Sequence, residues 1–117
     1  MAVTQLRPHV FSVDTGLSIA PERGYYCEVV PRSSIVKSDF MQANGIGIID
    51  PAYRGNILVM LRYLGQEPDG GLAQANALVG ARVAQLLVRR LEVVEIKVEE
   101  SLEETPRGVG GFGSSGR

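Results

Sequence analysis

The segment RGVGGFGSSGR, residues 107–117, sets five glycines, two serines and one aromatic ring between two arginines. Glycine lets backbone N–H groups close on an anion, and turns of this kind form anion-binding nests. Serine hydroxyls add donors, and a guanidinium offers a rigid fork for phosphate oxygens. A ring such as Phe112 can stack on a base. The same composition also suits a flexible terminus. A plain linker has no use for Phe112 in its middle or for Arg107 and Arg117 at its ends. The sharper of the two readings is a flap that closes over a nucleotide, and the segment taken alone fits either.

Three other segments carry residues of the same chemical kind. PRSS, residues 31–34, follows an apolar run and supplies Arg32 as charge and Ser33 as hydroxyl. Its plain alternative is a turn with serine caps. NGIGIIDPAYRGN, residues 44–56, exposes backbone amides and carbonyls at its glycines, followed by Asp50 and Tyr53. Such an edge can read the hydrogen-bonding face of a base, and a carboxylate can take a proton from water. The structural alternative is a hairpin with a capping Asp and a packed Tyr. GARVAQL, residues 80–86, contributes Arg82 and Gln85. A glutamine in an apolar run faces solvent or a buried polar partner.

Composition narrows the class of ligand. A formal net charge of −1 and a pI near 5.8 disfavour a nucleic-acid polymer, which calls for a basic excess. A small phosphorylated ligand needs only a few local arginines. Cys27 is the one cysteine, so no intrachain disulfide can form, and a cytoplasmic or otherwise intracellular location is expected. MAVTQLRPHVF lacks the continuous apolar region of a secretory leader. No stretch approaches the roughly 20 apolar residues of a membrane span. His9 is the single histidine. It reads as a surface or strand residue and argues against a histidine-based metal site.

The elements that must position these groups are mostly strands. HVFSV, YYCEVV and NGIGII read as short strands, with turns at APERG and DPAYRG and a surface loop at GQEPDGG. NILVMLRYL predicts a long apolar strand buried on both faces. Residues 82–91 satisfy a helical stripe through Val83, Leu87 and Leu91 as well as a strand, and their β-rich neighbours favour strand. VEIKVE, residues 94–99, alternates strictly and predicts a strand. EESLEETPRG is an acidic connector. At 117 residues, with 44% hydrophobic content, the chain suits a single all-β domain, a sandwich or jelly roll. No repeat or second domain is visible.

Taken in order, PRSS, GIIDPAYRG, GARVAQL and RGVGGFGSSG resemble motifs two to five of the trimeric dUTPase family. DTGLSIAPERGYYCEVVPRSS, residues 14–34, resembles the approach to motif two. The resemblance implies a distorted jelly roll, residues 1–104, with a glycine-rich arm, residues 105–117, closing over the nucleotide. It further implies a homotrimer with shared active sites and hydrolysis of dUTP to dUMP and pyrophosphate. Magnesium would be held mainly by substrate phosphates and waters, with no protein metal ligands. No nucleic-acid polymer or membrane partner is expected. By position, Asp50 matches the carboxylate that orients the attacking water. Gln85 matches the glutamine near the α-phosphate. Asn44, Gly47, Ile48 and Ile49 match the hairpin that reads uracil. Tyr53 matches the ring on the deoxyribose, which leaves no room for a 2′-hydroxyl. Arg32, Ser33 and Ser34 match the phosphate contacts of motif two, and Arg107 the γ-phosphate ligand. Phe112 matches the ring over uracil, flanked by Gly111, Gly113 and Ser114.

The sequence departs from the family pattern in places. No G-Y-D-L-like motif one stands ahead of DTGLS. Pro51 and Ala52 follow the catalytic acid, and Ala81 replaces a usual acidic residue. The alternative reading is therefore a dUTPase-fold protein that binds nucleotide or a partner with little or no turnover. A dCTP deaminase shares the fold, but the C-terminal arm favours dUTPase.

Overall fold

The run VFSVD alternates large apolar side chains with smaller polar ones, and its strand sinks Phe11 and Val13 completely into the core. In a computed structural model of the chain, which describes residues 2–113 and 116, seven strands form two antiparallel sheets. They are β1 (Ala2–Arg7), β2 (Val10–Asp14), β3 (Tyr25–Pro31), β4 (Phe40–Gln42), β5 (Gly47–Ile49), β6 (Leu58–Tyr63) and β7 (Ala84–Arg90). One sheet runs β1-β2-β6-β4 and the other β5-β3-β7. Their inner faces meet around Phe11, Val13, Val29, Val59 and Leu61. The fold is the expected all-β sandwich, with only a 3-10 turn at Ser33–Lys37 and the short helix α1 (Leu72–Asn76) added.

Residues 84–90, ambiguous by local pattern, are a strand because β3 supplies a full partner, from Tyr25 opposite Arg90 to Pro31 opposite Ala84. YYCEVV takes its expected strand as β3, whereas NGIGII is a strand only over its last three residues, as β5. His9 lies in the β1–β2 turn with a positive φ of 70°. Its ring stacks near Tyr63 at 6.3 Å.

Three expectations are corrected. NILVMLRYL is not buried on both faces. Val59, Leu61 and Tyr63 point into the core while Leu58 and Arg62 are exposed, because a second sheet covers only one side. VEIKVE forms no strand, and Ile96 and Val98 are 86% and 96% exposed. Its alternation is intact, but no strand edge of the chain lies beside it to complete a ladder. The helix α1 was not expected. Gly71 opens it in a left-handed conformation, and the Asp69 carboxylate accepts the N–H groups of Gly71 and Ala73 at 3.0 Å each.

Leu91 still donates its N–H to Gly24 O at 2.8 Å, and from Val93 to Val98 the apolar side chains lie exposed. The radius of gyration is 19.2 Å, against about 13 Å for a compact domain of this length.

The core is small, so losing its most deeply buried ring should be costly. Phe11→Ala is expected to destabilise the fold by about 3–5 kcal/mol, read as a lower midpoint in urea unfolding.

Candidate active site

The sheet arrangement turns residues 43–57 into an arch. β4 pairs with β6 in one sheet and β5 with β3 in the other. The strands on either side of the DPAYRG turn form no hairpin ladder: β5 pairs with β3 in one sheet, while β6 pairs with β2 and β4 in the other. Between them, Ala43 donates its N–H to Met60 O at 2.9 Å and Ile46 to Asn44 O at 2.7 Å. After β5, Pro51 fixes the second position of a turn closed by Tyr53 N–H to Asp50 O at 3.1 Å.

The arch encloses an open cleft of about 220 Å³. Asn44, Gly47, Ile48, Ile49, Asp50 and Tyr53 all line it. Its backbone edge is β5, where Gly47 faces Val29 so closely that a Cβ there would sit 3.2 Å from Val29 Cβ. Asp50 is exposed at the rim. The Tyr53 hydroxyl donates to Asn56 O at 2.8 Å, which holds the ring across the turn. Space for that ring depends on Gly55, since a Cβ at 55 would lie 2.7 Å from Tyr53 Cζ.

Asn56 ties this turn to the opposite sheet. Its Nδ2 donates to Asp14 Oδ2 at 3.2 Å, and its Oδ1 accepts from Ser18 Oγ at 3.2 Å. Asp14 also accepts the Gly16 N–H at 2.8 Å. That backbone bond, seconded by Asn56, holds the Asp14 carboxyl below the usual carboxylate range.

Arg32, Ser33, Ser34 and Gln85 gather elsewhere. Gln85 Nε2 donates to Pro31 O at 3.1 Å, and Arg32 Nη1 reaches Arg82 O at 3.5 Å. This places them at the far end of β3. Ile49 pairs with Cys27, so Asp50 lies beside Tyr26, six residues before Arg32. At roughly 3.3 Å per residue the two clusters stand about 20 Å apart within one chain.

The arm residues join neither cluster. Arg107 Nε donates to Gly110 O at 2.7 Å within a local turn. Gly111 and Gly113 are exposed, and Phe112 is 112% exposed. Ser114 and Arg117 lie outside the described residues.

Several residues of this region were not singled out from sequence. Leu58 and Met60 line the cleft because β6 alternates and its outer face turns there. Asn56 and Gly55 stood inside a quoted segment, but only the fold shows what they hold. Gln42, on β4, bonds both β3 and Asn44 and carried no local signal.

Among the described residues no group of three or more His, Cys, Asp or Glu could hold a metal. The donor chemistry fits magnesium delivered with a triphosphate, since that ion keeps waters and binds through few carboxylates plus substrate phosphates. Among the same residues, no helix is long and apolar enough to cross a membrane.

Comparison with known proteins gives concordant results. The family model described as dUTPase matches residues 2–116. The deoxyuridine 5′-triphosphate nucleotidohydrolase of Wolinella succinogenes is 42% identical over 106 residues, covering 90% of this chain and 67% of that protein. The human mitochondrial protein of the same name is 39% identical over 105 residues, which are 90% of this chain. This chain spans only 39% of the human protein's length. Among solved structures, a mutant Staphylococcus bacteriophage 80alpha dUTPase with dUpNHpp aligns at a TM-score of 0.68 and 21% identity. That alignment covers 92% of this chain and 75% of the phage chain, and it speaks for the fold.

Proposed function

Because the chain belongs to the dUTPase family, we propose that it hydrolyses dUTP to dUMP and pyrophosphate in a site completed by neighbouring copies. One observation carries this reading: the residues matching motif three converge on one cleft, with the Asp50 carboxylate at its rim. The β5 backbone and Asn44 take the uracil, and the Tyr53 ring takes the deoxyribose. Asp50 orients a water and accepts its proton. The water oxygen bonds to the α-phosphorus as the bond to the β-phosphate bridge breaks and pyrophosphate leaves. Gln85 steadies the α-phosphate and the water. Arg32, Ser33, Ser34 and Arg107 grip the phosphates. Gly111, Phe112, Gly113 and Ser114 form the lid.

A triphosphate brings about four negative charges that repel a nucleophile. Magnesium bound with the substrate would neutralise part of that charge and fix the phosphate geometry. The two arginines supply the rest from this chain. Catalysis then rests on positioning and charge stabilisation, as in phosphoryl transfer generally.

The separation of Asp50 from Arg32 supports the homotrimer. Both groups must serve one nucleotide, and about 20 Å within a chain is too far. Exposed Val94, Ile96 and Val98 on an extended segment also call for a neighbouring protomer.

The test is pyrophosphate release from dUTP, dTTP and UTP, with and without magnesium. Magnesium-dependent release from dUTP, far exceeding the other two, is expected. Calorimetric binding of dUTP with no pyrophosphate released would favour the binding-protein alternative, and ammonia release from dCTP the deaminase one.

A second expectation concerns sugar selection. Gly55→Ala should push the Tyr53 ring off its seat and strain its bond to Asn56 O. Backbone strain is not at issue, since Gly55 is absent from the positive-φ residues. The preference for dUTP over UTP should fall about tenfold, the worth of one displaced contact, with little change in thermal stability. An unaltered preference would show that the ring does not exclude the 2′-hydroxyl.

A further inference from the structure

Gln42 is a buried polar side chain, 5% exposed, on the three-residue strand β4. Its Nε2 donates to Val29 O at 2.8 Å and to Asn44 Oδ1 at 3.1 Å. Its Oε1 is buried, and among the described residues no group donates to it. An apolar side chain would pack there without that orphaned oxygen, so the amide serves something besides packing.

The donor logic has one solution. A backbone carbonyl only accepts, so Val29 O requires the amide nitrogen of Gln42 on its side. The second hydrogen of that nitrogen points to Asn44, which must answer with its oxygen. The Asn44 Nδ2 is thereby turned away from Gln42, beside Gly47, where a Cβ would lie 3.4 Å from it. Asn44 and Gly47 both line the base cleft. A flipped Asn44 would set two donors against each other.

We propose that Gln42 is a positioning residue that locks Asn44 as a hydrogen-bond donor toward the base and so favours uracil over cytosine. The proposal rests on the reading that this cleft takes a pyrimidine. Uracil offers carbonyl oxygens at C2 and C4, whereas cytosine carries an amino donor at C4. A donor held in place by Gln42 matches the C4 oxygen and opposes the C4 amine. An unlocked asparagine could present its nitrogen to the C4 oxygen of uracil or its oxygen to the C4 amine of cytosine, and would lose that discrimination.

The experiment compares kcat/KM for dUTP with the inhibition constant of dCTP in the full chain. The variants are Gln42→Met, Asn44→Ala and the pair combined. Gln42→Leu replaces Gln42→Met should the methionine variant fail to fold. Removing the lock should cut the uracil-over-cytosine ratio about tenfold or more, the usual worth of a hydrogen bond with an unpaired donor as its alternative. In the Asn44→Ala background the same substitution should leave the ratio unchanged. A general packing defect would lower stability and both affinities without moving the ratio. A ratio that survives loss of Gln42 overturns the proposal. So does an equal drop in the Asn44→Ala background, because the effect would then bypass Asn44. A wild-type chain that turns over dUTP yet binds dCTP equally well overturns it too. A wild-type chain that neither binds nor hydrolyses dUTP overturns the functional reading, and this one with it.

Discussion

Asp50→Asn should lower dUTP turnover by about 10²–10⁴-fold, the range for losing a general base, while leaving nucleotide affinity within a few-fold. The substitution keeps the size and hydrogen-bonding reach of the side chain but removes its ability to take a proton. Asp50 sits exposed at the end of β5, outside the hydrophobic core, so the fold should not register the change. The turn it begins depends on its backbone carbonyl, which accepts from Tyr53 N–H, and asparagine retains that group. Single-turnover pyrophosphate release, paired with calorimetry on a non-hydrolysable analogue, separates chemistry from binding. Undiminished turnover in this variant would remove Asp50 from its assigned role. Reduced turnover with an equal loss of affinity would make it a binding group instead.

Deleting residues 105–117 should be nearly as damaging through a different route. All buried core residues lie between Val10 and Ala75, and the last strand ends at Arg90. The truncated chain should therefore melt at the temperature of the full one. It would lack Arg107, and the charged hydrogen bond to phosphate proposed for that residue would be worth about 1.5–3 kcal/mol. It would also lack Phe112, and the base stacking proposed for its ring would be worth about 1–3 kcal/mol. Together these predict a loss of kcat/KM on the order of 10²–10⁴-fold. Phe112→Ala should show the stacking share alone. Water would also enter the open site more freely, so the loss should fall on kcat as well as KM. A truncated chain with unimpaired kcat/KM would show that the glycine-rich segment is a plain terminus.

How far these features could be read in advance depended on how local their causes are. Gly47, Asp50 and Tyr53 stand within one short segment, so their spacing suggested a candidate site before any fold was known, and they line one cleft. Arg107 and Phe112 announced themselves by being out of place in a Gly/Ser run. Gln42 gave no such sign, because its meaning comes from Val29 and Asn44, which only the packing of two sheets brings to it. Asn56 had the same limitation: its partners Asp14 and Ser18 precede it by 42 and 38 residues.

The amino-acid sequence by itself determined the chemical inventory, its order along the chain and the preference for strands, since these depend on residue type and near neighbours. Tertiary structure decided which strands found partners. Residues 84–90 became a strand because β3 lay alongside, while 94–99, with the stricter alternation, stayed unpaired because no strand edge among the described residues was within reach. It also decided that segment 44–56 is an arch between two sheets, and that Asp50 and the Arg32–Ser34 group of one chain lie at opposite ends of β3. Strand pairing and side-chain contact across sheets draw on groups far apart in the chain, and a local pattern carries no record of them.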